Sequence, residues 1–458
     1  MNRLSFGLAV MLLAGSVSQV EAGRQQLTLD VSPVNNVLQA GKKQSVWIRV
    51  GVQGFRLESE QKRPGVNLAI VLDKSGSMKG EKIARAREAA IDAIRLLQPD
   101  DIVSIITYDS TVNVLVPATK LTDKQTVIKA INGIKAGGNT ALFAGVSKGA
   151  AEVRKFIEKE RVNRVILLSD GLANVGPSSP GELGNLGRSL VEENISVSTL
   201  GLGLGYNEDL MVKLAKASGG NHLFIEEASE LADIFRREFD DVLSVVAQEV
   251  DIKVTMPEGI RPVQVLGNEA DVTGQHVATR IAQVYSEQDR HIVISVEVPE
   301  TETGEKLKLA QVTATYTNMK TGEQDRLTGM AKVSISDDAQ KVKDSVNSAA
   351  LADVVALVSS EQNKLATKYL DEGNLAACRQ VLSDNVDFLK VNAMNCPTDK
   401  DRLESLALQN SFQLSQLKDV TSNKDEKANR ARKSFRGYQN EVDLQQRVKS
   451  PTSTPQAP

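Results

Sequence analysis

Val66-Asn67-Leu68-Ala69-Ile70-Val71-Leu72-Asp73-Lys74-Ser75-Gly76-Ser77-Met78 is the stretch on which the reading of this chain turns. The apolar run Val66 to Leu72 reads as a strand, the next residues as a loop, and a helix follows from about Glu81. Asp73, Ser75 and Ser77 alternate at spacing two, and Gly76 lets the chain fold tightly over a small ion. Three hard oxygen groups thus stand at the carboxyl end of a strand, where open α/β sheets build their binding crevices. An oxygen-only cluster suits Mg²⁺, Mn²⁺ or Ca²⁺ and suits zinc or copper poorly. Taken alone the pattern is modest, because Ser-rich turns after strands often just cap the next helix.

Two later segments supply more oxygen at equivalent places. Gly137-Gly138-Asn139-Thr140 is a flexible loop before a helical run from Ala141 to about Glu158. Val162 to Leu168 is a dense apolar strand ending in Ser169-Asp170-Gly171. Thr140 by itself reads as a helix cap and Asp170 by itself as a turn former. Their joint occurrence with Asp73, Ser75 and Ser77 reverses those readings. In order and spacing the five residues resemble the metal-ion-dependent adhesion site of the von Willebrand factor type A family. The resemblance runs from about Val66 to Val246, takes in Gly201-Leu202-Gly203 and Gly219-Gly220, and shows no departure at the five positions.

The resemblance implies a doubly wound, mostly parallel, Rossmann-like α/β sheet. It also implies that Ser75, Ser77 and Thr140 ligate directly while Asp73 and Asp170 act through water. Neutral hydroxyls leave a cation's charge under-compensated, and Mg²⁺ keeps several waters in its shell. One exchangeable position then remains for a carboxylate of a partner protein. The expected function is non-catalytic, divalent-metal-dependent protein binding.

Periodicity divides the rest of the chain. Residues 23–64 alternate polar and apolar side chains, as at Leu27, Leu29, Val31 and Val46, Ile48, Val50, and read as strands followed by a charged linker. Residues 65–247 alternate strands and helices, which implies a mostly parallel sheet covered on both faces. The Thr111 to Val116 run is expected as a short antiparallel edge, and Ser229 to Val246 as the last helix. Residues 248–336 read as strands at Val250–Met256, Ile260–Leu266, Arg290–Val298, Leu307–Tyr316 and Leu327–Ile335, divided by turn residues. The N-terminal strands are expected to pair with this set, so that the α/β domain is inserted in a β-sandwich-like domain. Residues 337–418 are helix-rich, with a helix–turn–helix at Gln362 to Leu389 turning at Asp371-Glu372-Gly373-Asn374. Residues 419–458 are polar and are expected to be largely disordered. There Arg430, Arg432, Lys433 and Arg436 surround Phe435, either as a solvated helix face or as a patch for acidic lipid or polymer.

Residues 1–22 read as a signal peptide, with Arg3 before the apolar Leu4 to Ala14 and small residues ahead of a cleavage point after Ala22. That run is too short to span a bilayer, so an exported protein without a transmembrane segment is expected, periplasmic or extracellular and possibly part of an envelope complex. Cys378 and Cys396 leave two readings open, a disulfide clamping a helical hairpin or two buried thiols. A net charge of −3 and 4% aromatics offer nothing to nucleic acid. Gly145-Val146-Ser147-Lys148-Gly149 falls within the helical run from Ala141 and not at a strand-to-helix elbow, phosphate loops are missing, and His222, His276 and His291 lie in separate elements, so enzymatic readings lack their parts. A metal-dependent hydrolase would need a base near the cation, and both aspartates are committed to the ion's shell. The remaining alternative is an envelope scaffold acting through the helical region.

Overall fold

Strand spacing gives way to helical spacing twice along this chain, and each change marks a new layer of the molecule. The computed structural model describes residues 25–57 and 63–443. The expected signal peptide and the tail beyond residue 443 lie outside the described residues. Three strands come first: β1 (Leu27–Pro33), β2 (Val37–Gln39) and β3 (Gln44–Gly54). An α/β unit follows: β4 (Gly65–Asp73), α1 (Glu81–Leu96), β5 (Ile102–Tyr108), β6 (Val112–Lys120), α2 (Lys124–Asn132), α3 (Leu142–Arg154), β7 (Arg161–Ser169), α4 (Pro180–Glu192), β8 (Ser196–Leu202), α5 (Glu208–Ser218), β9 (His222–Ile225) and α6 (Leu231–Leu243). Next come β10 (Val245–Thr255), β11 (Arg261–Leu266), β12 (Asp271–Thr273), β13 (His276–Tyr285), β14 (Asp289–Val298), β15 (Lys306–Asn318) and β16 (Gln324–Ser336). Helices close the chain: α7 (Ala339–Asp344), α8 (Ser348–Asp371), α9 (Leu375–Asn395), α10 (Lys400–Gln416) and α11 (Glu426–Asp443).

The sheet of the α/β unit runs β6-β5-β4-β7-β8-β9. Only β6 is antiparallel to its neighbour, and at Val112–Lys120 this edge is longer than the expected Thr111 to Val116 run. Central β4 is buried from Val66 to Asp73. Its Leu68 and Ile70 enter the core beneath α1, α2 and α6, while Ala69 and Val71 enter the core beneath α3, α4 and α5. A strand apolar on both faces needs helices on both faces, and each buried Leu or Ile contributes about 1.5–3 kcal/mol. Helix α3 approaches closely because glycines meet the sheet. A Cβ on Gly149 would stand 2.7 Å from Val71, and one on Gly145 2.9 Å from Tyr108. That contact sets the height of the preceding loop, which carries Thr140.

The first strands pair with strands that follow the α/β unit, giving sheets β1-β3-β14-β11 and β12-β13-β10-β15-β16-β2. Ile48, Val50 and Ile294 of one sheet share a core with Ile252, Val312 and Ile335 of the other. The α/β unit is therefore inserted between β3 and β10 of a two-sheet β domain. Strands β12 and β13 lie where the sequence suggested none, because Thr279 and Gln283 stand among the buried positions of β13. Helix α6 ends at Leu243 rather than Val246, since Val245 already pairs with Tyr285 in β10–β13.

Helix α8 docks on the β domain through Val354 and Leu357, against Val293 and Trp47. Its Asp353 accepts from Arg49 Nε at 2.5 Å and Arg402 at 2.6 Å. Cys378 and Cys396 are free, buried, and in separate clusters at the two ends of α9. Eighteen helical residues separate them by ~27 Å, far beyond disulfide reach. Of the two open readings, buried thiols hold.

The expected disordered tail is corrected over residues 426–443. These form α11, whose Ala428, Ala431 and Phe435 are buried against α8, α9 and the turn before α11. Arg430 stays on a solvated face beside Glu226, whereas Lys433 and Arg436 turn inward. Lys433 Nζ donates to Glu208 Oε2 at 2.6 Å and to the Tyr206 carbonyl at 2.7 Å, and Arg436 pairs with Glu208, Asp209 and Asp371. Among the described residues no helix is long and apolar enough to cross a membrane.

Candidate metal and ligand site

The five residues singled out from sequence come together at the carboxyl end of the parallel strands. Asp73 closes β4 and is fully buried. Its Oδ1 accepts the Ser75 backbone N–H at 2.8 Å and its Oδ2 accepts the Ser169 hydroxyl at 2.9 Å. Those bonds fold the loop back over the strand end. Ser75 Oγ and Ser77 Oγ stand 3.1 Å apart, and Ser77 donates to Asp170 Oδ1 at 2.6 Å. Ser75 begins a single 3₁₀ turn, Gly76–Met78, without capping it through its side chain. Its hydroxyl is free to serve the cluster.

Thr140 enters from the loop before α3. Ala141, not Thr140, is the N-cap residue of α3, so the cap reading fails there. Instead the Thr140 N–H donates to Asn174 Oδ1 at 2.8 Å. A Cβ on Gly171 would meet Thr140 Oγ1 at 3.3 Å and Ser77 Oγ at 3.5 Å. The Thr140 and Ser77 hydroxyls therefore converge beside Gly171. The loops are also stitched through their backbones. Gly76 N–H donates to Gly138 O at 2.9 Å, and Gly137 N–H donates to Lys74 O at 2.6 Å. Gly138 has φ +88°, a left-handed conformation suited to glycine.

Electrostatics distinguish this pocket. Asp73 and Asp170 are 0% and 2% exposed. Burial pushes the Asp73 carboxyl above its usual range, against hydrogen bonds from Ser75 and Ser169, and the charge of Asp170 pushes it further. Tyr108, buried beside them, donates to the Leu168 carbonyl at 3.1 Å and stays a neutral phenol. Lys74 is spent on Asp109, whose carboxyl is held below the usual range. Lys82 Nζ is the one cation that reaches a site carboxylate, 2.6 Å from Asp170 Oδ2, among the described residues.

Ser169, Asn174, Tyr108 and Lys82 were not recognised from sequence. Ser169 adjoins Asp170, and Lys82 is the second residue of α1, so adjacency and helical register were the available signals. Among the described residues no three His, Cys, Asp or Glu side chains gather to hold a metal. The pocket is built from two carboxylates and three hydroxyls instead, a donor set that fits a hard divalent cation.

Comparison with known proteins agrees with this fold. Residues 67–237 match the von Willebrand factor type A domain. An uncharacterized protein of Synechocystis sp. is 26% identical over 71% of this chain and 79% of its own length. Human inter-alpha-trypsin inhibitor heavy chain H4 is 30% identical over 40% of this chain, but the match spans only 21% of that protein. Among solved structures, a von Willebrand factor type A protein from Catenulispora acidiphila superposes with a TM-score of 0.67 at 16% identity, covering 87% of this chain and 91% of that one. The α/β unit of this chain, inserted in its β domain and followed by helices, is a von Willebrand factor type A domain.

Proposed function

We propose that the chain is a non-catalytic protein-binding module that captures an acidic side chain of another protein through a divalent ion. Ser75, Ser77 and Thr140 would hold the ion directly, with Asp73 and Asp170 acting through water, and Mg²⁺, Mn²⁺ or Ca²⁺ all suit the donors. The ion would supply a positive centre with an exchangeable position. One observation carries the reading: two buried carboxylates share a hydroxyl-lined pocket with a single ammonium, leaving a surplus negative charge. Burying unpaired charge costs several kcal/mol per ion, so a cation is the natural complement.

The chain's own residues oppose catalysis. Every oxygen of Asp73 and Asp170 already accepts a hydrogen bond, from Ser75, Ser169, Ser77 or Lys82. The buried histidine of this unit, His222, is lowered to about 3 by burial and by the Lys433 charge, and is engaged by Thr199 and Tyr206. It is no base for the pocket. Export to the periplasm or exterior belongs to the same proposal and places the module in an envelope assembly.

The experiment is a pull-down from envelope extract with Mg²⁺ against EDTA, using wild type and Asp73→Ala. Capture that requires both Mg²⁺ and Asp73 supports the module; capture indifferent to both removes it. A second reading, scaffolding through the helices, is favoured by exposed Val391 and Met394 on α9 and Leu408 and Phe412 on α10. Met394→Glu with Leu408→Glu separates the two. Loss of capture there with retention in EDTA favours the helices.

A further inference from the structure

Asp170 is gripped from two sides. Its Oδ1 accepts from the Ser77 hydroxyl, and its Oδ2 accepts from Lys82 Nζ, each at 2.6 Å. The Asp170 side chain is fully buried, whereas that of Lys82 is 35% exposed. A Cβ on Gly203 would stand 3.7 Å from Lys82 Nζ, so the ammonium lies between Asp170 and the loop after β8. The oxygen facing the hydroxyl cluster is left free of lysine.

We propose that Lys82 sets the ligand preference of the site: it cancels one of two buried negative charges, loosening the hold on the cation while favouring an anionic ligand on it. This rests on the metal-bridged reading above and adds a residue and a direction to it. Asp73 and Asp170 together carry −2, and Lys82 brings the pocket to −1. A divalent ion then makes it +1, which attracts a carboxylate. Without Lys82 the loaded pocket would be neutral, and a carboxylate would gain only the bond itself. Lys74 does not change this count, because Asp109 neutralises it. Coulomb attraction at such separations is felt across the pocket and weakens where water screens it.

The test uses the full chain with Lys82→Gln, Lys82→Met and Lys82→Arg. Water-proton relaxation reports Mn²⁺ binding, and its decrease on adding N-acetyl-aspartate amide reports displacement of metal-bound water by a carboxylate. The neutral variants should bind Mn²⁺ roughly tenfold more tightly and the aspartate probe roughly tenfold more weakly, with Lys82→Arg close to wild type. That opposite movement is the signature, since a merely structural lysine would weaken both together. Joint weakening, or no change in either affinity, overturns the role of Lys82 while leaving the metal site standing. Unfolding of both neutral variants by circular dichroism makes Lys82 a structural prop and also overturns it. Absence of Mn²⁺ binding in wild type removes the metal reading itself, and this inference with it.

Discussion

Strand β7 carries a buried charge near each end, and the two are handled in opposite ways. Near its start, Arg164 is fully buried and donates to Ser198 Oγ at 2.7 Å, Gln283 Oε1 at 2.5 Å and Tyr285 at 3.1 Å. Glu238 of α6 lies 3.5 Å away and also accepts from Ser198 and Asn221. Opposite charges cancel there, and the cluster locks the α/β unit to β13 of the β domain. Just past its other end, Asp170 joins a second carboxylate, Asp73, and one half-solvated lysine. The first cluster is electrically complete; the second has negative charge to spare. The balanced cluster ties two units of the fold together, and under the function proposed above a cation completes the unbalanced one.

The largest effect that sharpens this contrast is at the balanced end. Arg164→Met strands Glu238 in the interior and should cost about 3–5 kcal/mol, read as a fall in denaturant midpoint. Adding Glu238→Gln should recover part of that loss. No recovery would mean that Arg164 acts through packing alone.

His222 gives the next effect. Burial, helped by the Lys433 charge and opposed by Glu208, holds it neutral, lowered to about 3. The unfolded chain binds its proton near pH 6.5, so between pH 6.5 and 3 the unfolded state carries the extra proton and stability falls with pH. Neutral His222 therefore contributes stability that is complete above pH 6.5 and lost on acidification, about 2 kcal/mol of it by pH 5. His222→Gln should flatten that part of the stability curve relative to wild type. Parallel curves would show that His222 is charged when folded.

The smallest effect belongs to the unbalanced end. In EDTA, Asp73→Asn should change stability by no more than about 1 kcal/mol, because the lost hydrogen bonding is offset by relief of like-charge repulsion. A loss as large as that of Arg164→Met would make Asp73 a structural residue and erase the contrast.

These differences track what was legible in the sequence. The β4 strand and its loop were readable because seven buried residues end in oxygens at spacing two. Thr140 and Asp170 were readable because each follows a strand or linker and precedes a helix. Lys82 was not, since a lysine on a helix reads as solvated until the fold points it at Asp170. Helix α11 was hidden for a related reason. Ala428, Ala431 and Phe435 make a thin apolar stripe, and the charges around them find partners, Glu208 and Asp371, far away in sequence. Polarity predicted disorder, and tertiary pairing overrode it. Strand β13 was missed because buried Thr279 and Gln283 break its apolar alternation.

Calorimetric titration of Mn²⁺ into EDTA-stripped wild type and Asp73→Ala protein decides whether the pocket holds an ion. Wild type should bind one ion per chain, and the variant none at the same concentrations. Equal binding by the two proteins, or none by wild type, would contradict the proposed metal site.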